Sequence, residues 1–95
     1  MTSSRLGLLG ECPDPETDLV MWVIHNRLTL DYPGYYVLRR QWTHRAASGE
    51  GAELVIDLVA HVDHDIEPLR ERIPPGLVRM PRQPADAFTI VEMWF

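Results

Sequence analysis

The residues best suited to binding chemistry are arginines. Arg39 and Arg40 are adjacent in the sequence, and Arg79 lies in a proline-rich segment. A guanidinium holds a carboxylate or a phosphate through two parallel hydrogen bonds. Alternation along a strand places Arg39 and Arg40 on opposite sides of a sheet. If residues 77–82 fold back over that sheet, Arg79 would approach one of them, and together with Tyr32 or Tyr35 they would form a site for a small anion. Opposed charges on neighbouring strands usually pair with each other, which favours the alternative of ion pairs. The candidate acids are Glu53, Asp57 and Glu92.

Glu92 belongs to the same candidate site, because it shares a strand face with Ile90 and Trp94. A partly buried carboxylate needs a partner, and we expect an arginine of the strand predicted at 35–45, Arg39 or Arg40. A general base with a raised pKa is the alternative. No nucleophile with an adjacent base is apparent, so the structural role is favoured and no catalytic residue is assigned. An enzyme is therefore the less favoured class.

The nearest pattern to a metal site is a histidine pair interleaved with carboxylates, namely His61, Asp63 and His64. Such groups suit zinc or another divalent ion. The spacing is no known signature, and the aspartates are equally typical of a helix start at Asp65. We favour the helix start and expect no cofactor.

Composition limits the class of protein. A chain of 95 residues is one domain at most, and 45% hydrophobic with 24% charged residues is typical of a globular fold. All nine cations are arginine, but the net charge of −5 argues against general nucleic-acid binding. No apolar run suits a membrane span. The single cysteine, Cys12, fits a reducing compartment, so we expect a cytoplasmic protein.

Four extended segments would position these residues. Alternation and β-branched content predict strands at 19–25, 35–45, 53–62 and 86–95, although a helix remains an alternative for 53–62. A helix is predicted at 65–73, with Asp65 as its N-cap and Pro68 in its first turn.

These elements predict an α+β fold of the type βββαβ. The first three strands form a meander, and a crossover through the helix returns the fourth strand parallel to the first. The result is a four-stranded mixed sheet of order 4-1-2-3 with one short helix on one face. Residues 1–18 are expected to be a flexible tail, and 19–95 the single domain. The glycine-containing stretch AASGEGA is expected to be a flexible connection.

One short helix leaves many large apolar side chains of the sheet uncovered. We therefore expect a small binding module that binds a protein partner or associates with itself as a homodimer. A small-anion site or enzyme using Arg39 or Arg40 with Arg79 and Glu92 is the alternative function. Aromatic side chains would also suit base stacking, but the acidity and the lack of an RNP pattern argue against RNA.

Four motifs resemble those of a group of small uncharacterised bacterial proteins. That group has a Trp-Val-Ile opening strand, an Asp-Tyr-Pro turn and a C-terminal Ile-Val-Glu-x-Trp strand. The matching stretches here are MWVIHN at 21–26, DYPGYYVLRRQW at 31–42, LRERIPPGLVRMPRQP at 69–84 and IVEMW at 90–94. The chain departs from the pattern in the residues before Met21 and in a longer segment at 50–64. The group has no assigned activity, so the resemblance implies a domain start at Met21 and no site residue.

Overall fold

The computed structural model describes residues 3–45 and 51–95, and these residues form one mixed β-sheet with a short helix. The strands are β1 (Ser3–Leu6), β2 (Leu19–His25), β3 (Tyr36–Arg45), β4 (Ala52–Asp63), β5 (Arg79–Pro81) and β6 (Ile90–Trp94), and helix α1 spans Glu67–Arg70. Their order across the sheet is β1-β4-β3-β2-β6-β5. Most of the connection predicted at AASGEGA, residues 46–50, lies outside the described residues.

Strands β2 and β3 form the centre of the sheet. β2 is an uninterrupted run of β-formers, which is typical of a strand covered on both faces. It pairs with β3 in antiparallel register from Leu19↔Thr43 to His25↔Val37. Val23, Ile24 and Leu38 are fully buried at this centre, as is Val37. The core therefore lies on both sides of this strand pair.

The predicted four-stranded βββαβ sheet is wrong, because the sheet has six strands. β1 comes from residues 3–6, which were assigned to a flexible tail, and it pairs in parallel with β4. Its sequence is short and carries no alternation, so nothing local predicts a strand there. The neighbouring strand edge and the ion pairs of Arg5 supply the missing stabilisation. The division into domains at residue 19 stays a prediction.

The direction of the last strand also differs from the prediction. β6 lies beside β2 but runs antiparallel to it, with Val23 opposite Met93. The reason is strand β5, which was not predicted from the sequence, because the four prolines of residues 74–85 argue against a strand in that segment. The chain leaves α1, forms β5 at the sheet edge, and then turns back as β6 between β5 and β2.

Helix α1 has four residues, fewer than the predicted 65–73. Its N-cap is Ile66, without a side-chain cap bond, and the Oδ1 of Asp63 instead accepts the amide of Asp65 at 2.9 Å. Beyond Arg70 the backbone continues in i→i+3 turns. Pro74 follows these turns and disfavours helical geometry at the residue before it. Within the described ranges no helix has the length and apolarity of a membrane span.

The sheet has two faces, which the register separates because cross-strand partners point to the same side. The helix face packs against Leu69 of α1. Its residues include Trp22, Ile24, Leu38, Arg40, Glu92 and Trp94. The opposite side is called the open face. Its residues include Met21, Val23, Val37, Arg39 and Met93.

Candidate functional site

The two adjacent arginines point to opposite faces of the sheet. On the open face, Arg39 donates to Oδ2 of Asp31 at 2.7 Å, and its guanidinium lies 5.9 Å from the ring centroid of Tyr32. On the helix face, Arg40 donates from Nε to Oδ2 of Asp57 at 3.0 Å. Arg39 and Tyr32 therefore come together, while Arg40 belongs to another site. Of the three candidate acids, Glu53, Asp57 and Glu92, Asp57 is the one that pairs with Arg40.

Arg40 and Arg79 share the helix face without converging. The register places them in one row with two tryptophans, in the order Arg40, Trp22, Trp94 and Arg79. Three strand intervals separate the two arginine backbones, which is about 14 Å at ~4.8 Å per interval. The predicted five-residue anion site is therefore divided into at least two places.

Glu92 is bound by a residue that the sequence did not indicate. Its carboxylate accepts bonds from the guanidinium of Arg70, on α1, and from the indole Nε1 of Trp94 at 2.6 Å. Burial alone would raise the pKa of Glu92, but these two donors together hold it below its usual value. The expected partner from β3 is not the one observed. Glu92 joins α1 to the sheet, and both of its oxygens are occupied.

The candidate metal residues do not form a cluster. His61 and Asp63 lie on β4, while the ring of His64 stacks on Tyr35 with centroids 4.3 Å apart. Among residues 3–45 and 51–95, no group of three His, Cys, Asp or Glu side chains has metal-binding geometry. Asp63 instead stabilises the turn before α1.

A cleft on the helix face brings together residues from distant parts of the chain. It has a volume of about 330 Å³, at the small end of the range for ligand pockets. Residues 8–12 form one wall, and the segment 57–61 forms the other. Trp22 and Arg40 line the cleft between these walls. The guanidinium of Arg40 also lies 5.2 Å from the ring centroid of Trp42.

An ion network fixes the first wall of this cleft. Arg5 donates to both oxygens of Glu11, at 2.8 and 2.6 Å, and to Glu53 on β4 at 2.8 Å. The bonds from Arg5 and from the amide of Leu8 lower the pKa of Glu11 to about 2. The pKa of Glu53 is lowered by Arg5 as well, with His44 adding to the effect. This network was missed, since Glu53 lies 48 residues from Arg5 and no local pattern connects them.

The open face carries a polar cluster under the loop that follows β2. The Nδ1 of His25 lies 3.0 Å from Oγ1 of Thr89, and Arg39 is beside it. Burial lowers the pKa of His25, and the positive charge of Arg39 lowers it further. Within the described residues, two buried polar atoms of this region have no partner, Oγ1 of Thr29 and Nε of Arg39.

The remainder of the open face is an apolar surface, here called the open patch. It consists of Leu19, Met21, Val78, Met80, Met93 and Phe95. Val78 and Phe95 exchange two backbone hydrogen bonds, at 3.0 and 3.2 Å, which extends the pairing of β5 with β6. Val78 is 69% exposed and Leu19 is 55% exposed. No side chain of the patch is ionisable.

Comparison of the chain with protein-family models, with curated proteins and with solved structures finds no match. The resemblance based on the four sequence motifs therefore stays a prediction. Functional inference rests on the cleft and on the open patch.

Proposed function

We propose that this chain is a small interaction module that forms a homodimer by stacking the open faces of two copies. The observation that carries this proposal is the open patch, a continuous apolar surface across β2, β6 and β5. Exposed apolar side chains that lie side by side without a charged side chain between them are suited to a protein contact. Phe95 would lie at its centre, with Leu19 and Val78 at its margins, and all three are more than 40% exposed.

A second copy is the occupant that the patch suits best. Two β-sheets pack face to face at about 10 Å through apolar side chains, and an apolar patch on one face can contact the same patch of a second copy about a two-fold axis. The chain has a net charge of −5, so contacts between charged surfaces of two copies would be repulsive. Stacking through a patch without ionisable side chains brings no like-charged side chains into direct contact.

Edge-to-edge pairing is the less suitable mode of association. β5 forms one edge of the sheet and has only three residues, Arg79–Pro81. Proline cannot donate a backbone hydrogen bond, and charged or short edge strands discourage pairing with another sheet. The face therefore offers the larger accessible surface for a second copy.

The size of the patch indicates a reversible dimer. It spans roughly 10 Å across the strands from β2 to β5, and roughly 14 Å along them from Leu19 to the row of Met93, on the order of 140 Å² of sheet. Standard stable interfaces bury about 800 Å² on each partner, so the surrounding polar residues would have to supply the rest. We expect association to depend on concentration in the micromolar to millimolar range.

Sedimentation velocity tests this proposal directly. The unaltered chain should shift from monomer to dimer between about 10 μM and 1 mM, within the range expected for a small interface. Val78→Glu should abolish the dimer, because it places a carboxylate within the apolar contact. Leu30→Glu is the matched control, since Leu30 is fully exposed and lies outside the patch. A strict monomer at 1 mM, or equal loss in both variants, would contradict the proposal.

The compartment proposed for this module is the cytoplasm. Cys12 is an exposed free thiol. Free thiols of this kind persist where glutathione and thioredoxin keep cysteines reduced.

A further inference from the structure

We propose that the helix-face cleft binds a small carboxylate that carries an apolar, planar body. The proposal is independent of the homodimer, because the cleft and the open patch lie on opposite faces of the sheet. It also differs from a site built on both adjacent arginines, since only Arg40 lines the cleft.

The hydrogen-bond partners of the acids in the cleft indicate the sign of the charge that a ligand should carry. Oδ2 of Asp57 accepts a hydrogen bond from Arg40 at 3.0 Å, and Oδ1 accepts one from the amide of Val59 at 3.1 Å. Glu11 accepts two nitrogens of Arg5 and the amide of Leu8. Both carboxylates are therefore engaged by donors within the protein. A cationic ligand would have to displace these bonds before it could bind.

Arg40 retains unused donors in the same cleft. Its Nε and Nη2 both lie 3.0 Å from Oδ2 of Asp57. Within the described part of the chain, its Nη1 has no hydrogen-bond partner, so that edge of the planar guanidinium remains for a ligand. Asp57 and the ring of Trp42 hold the guanidinium in place. A carboxylate binding to a guanidinium fixed in advance loses less conformational entropy.

The walls of the cleft indicate the body of the ligand. Leu8, Leu9, Leu58, Val59 and the indole of Trp22 all line the cleft. Leu8 and Leu9 are 73% and 87% exposed, so apolar surface is available for burial. Aromatic rings gain from stacking on an indole as well as from losing contact with water. A volume of about 330 Å³ accommodates a single ring with a short acidic arm.

Titration with phenylacetate, followed by ¹H–¹⁵N correlation NMR, tests the proposal on the unaltered chain. Saturable shifts are expected at the indole N–H of Trp22 and at the amides of Leu9 and Val59. Phenylacetamide has the same shape without the charge, and acetate has the charge without the ring. Each should bind at least about tenfold more weakly, since a charge-assisted hydrogen bond or a buried ring is lost.

Two variants locate the charged contact. Arg40→Gln should weaken phenylacetate binding about tenfold or more. Arg79→Gln, on the same face but outside the cleft, should leave the affinity within about twofold of that of the unaltered chain. Equal binding of phenylacetate and phenylacetamide would overturn the proposal without any variant. Shifts confined to other surfaces, or no saturable shift up to about 20 mM, a limit far weaker than a specific small-ligand site requires, would overturn it as well.

Discussion

At the scale of single residues, Glu92 is the ionisable side chain that the described part of the chain buries most completely, at 3% exposure. Its partner Arg70 lies on the short helix α1 and is 31% exposed. A four-residue helix is far below the length at which helices are stable alone. The pair, together with Leu69, therefore holds α1 on the sheet.

Removing Arg70 should destabilise the fold strongly. We expect Arg70→Met to lower the free energy of unfolding by about 3 kcal/mol, at the low end of the range for broken buried pairs, because solvent reaches Arg70. Urea denaturation would measure this loss. Glu67→Gln is the control, since Glu67 also pairs with Arg70 but is 71% exposed, and it should cost less than about 0.5 kcal/mol.

The double variant Arg70→Met, Glu92→Met distinguishes a paired charge from simple packing. It should be more stable than Arg70→Met alone, because no uncompensated carboxylate is then buried. The single variant Glu92→Met completes the comparison. If the double variant loses as much free energy of unfolding as the two single variants together, the pair contributes only by packing.

His25 should make the free energy of unfolding depend on pH below about 6.5, a higher range than that in which the carboxylates act. Burial and Arg39 hold the pKa of His25 below 6.5 in the folded chain. As pH falls below 6.5, the unfolded chain therefore takes up the proton first, and stability is lost until the folded pKa is passed. The lowered carboxylate pKa values act only at lower pH, below about 4.5.

Comparing urea denaturation at pH 7.5 and 5.5 isolates this effect. The unaltered chain should be less stable at pH 5.5, and His25→Gln should remove most of the difference. His64→Gln is the control, because His64 is exposed. If the pH dependence persists in His25→Gln and disappears in His64→Gln, the assignment to His25 is wrong.

At the scale of elements, local sequence predicts some strands well and others not at all. β2, β3, β4 and β6 occupy segments rich in β-branched and aromatic residues, where propensity and alternation agree with the sheet. β1 and β5 have three or four residues each, and they form only because a neighbouring strand edge is present. The number of strands and the direction of β6 depend on those two partners, which no local pattern contains.

The candidate site, like the fold, could be predicted from the sequence only in part. Alternation alone places Arg39 and Arg40 on opposite faces, which already divides a site that uses both. The cleft depends on residues 8–12, which Arg5 holds against β4. Such long-range ion pairs leave no periodic trace in the sequence, so the cleft was not foreseen.

Gly7 should be the residue on which the attachment of β1 depends. Its amide donates to the carbonyl of Ile56 at 2.6 Å, and an added Cβ would lie 3.3 Å from that oxygen and from Cγ1 of Val55. We expect Gly7→Val to detach β1, with hydrogen exchange at residue 7 rising at least about tenfold while Val23 stays protected. Ser4→Val, at an exposed position of β1, should leave exchange unchanged.

A detached β1 should also open the cleft, since residues 8–12 follow it directly. If exchange at residue 7 stays slow in Gly7→Val, the close contact with Val55 is relieved without loss of the strand. The view that packing at Gly7 holds β1 in the sheet would then be incorrect.

At the scale of the whole molecule, charge and apolar surface make opposite predictions for association. A dimer held by ion pairs weakens as salt rises, whereas the proposed homodimer opposes two copies of charge −5 around an uncharged patch. Raising NaCl from about 0.05 to 0.5 M should therefore strengthen association about two- to fivefold, because screening reduces the repulsion. Warming from about 5 to 25 °C should strengthen it too, since apolar association weakens on cooling.

Sedimentation equilibrium of the unaltered chain and of Val78→Glu measures both effects, and the variant should show neither. Association that weakens with salt in the unaltered chain would instead indicate an ionic contact outside the open patch.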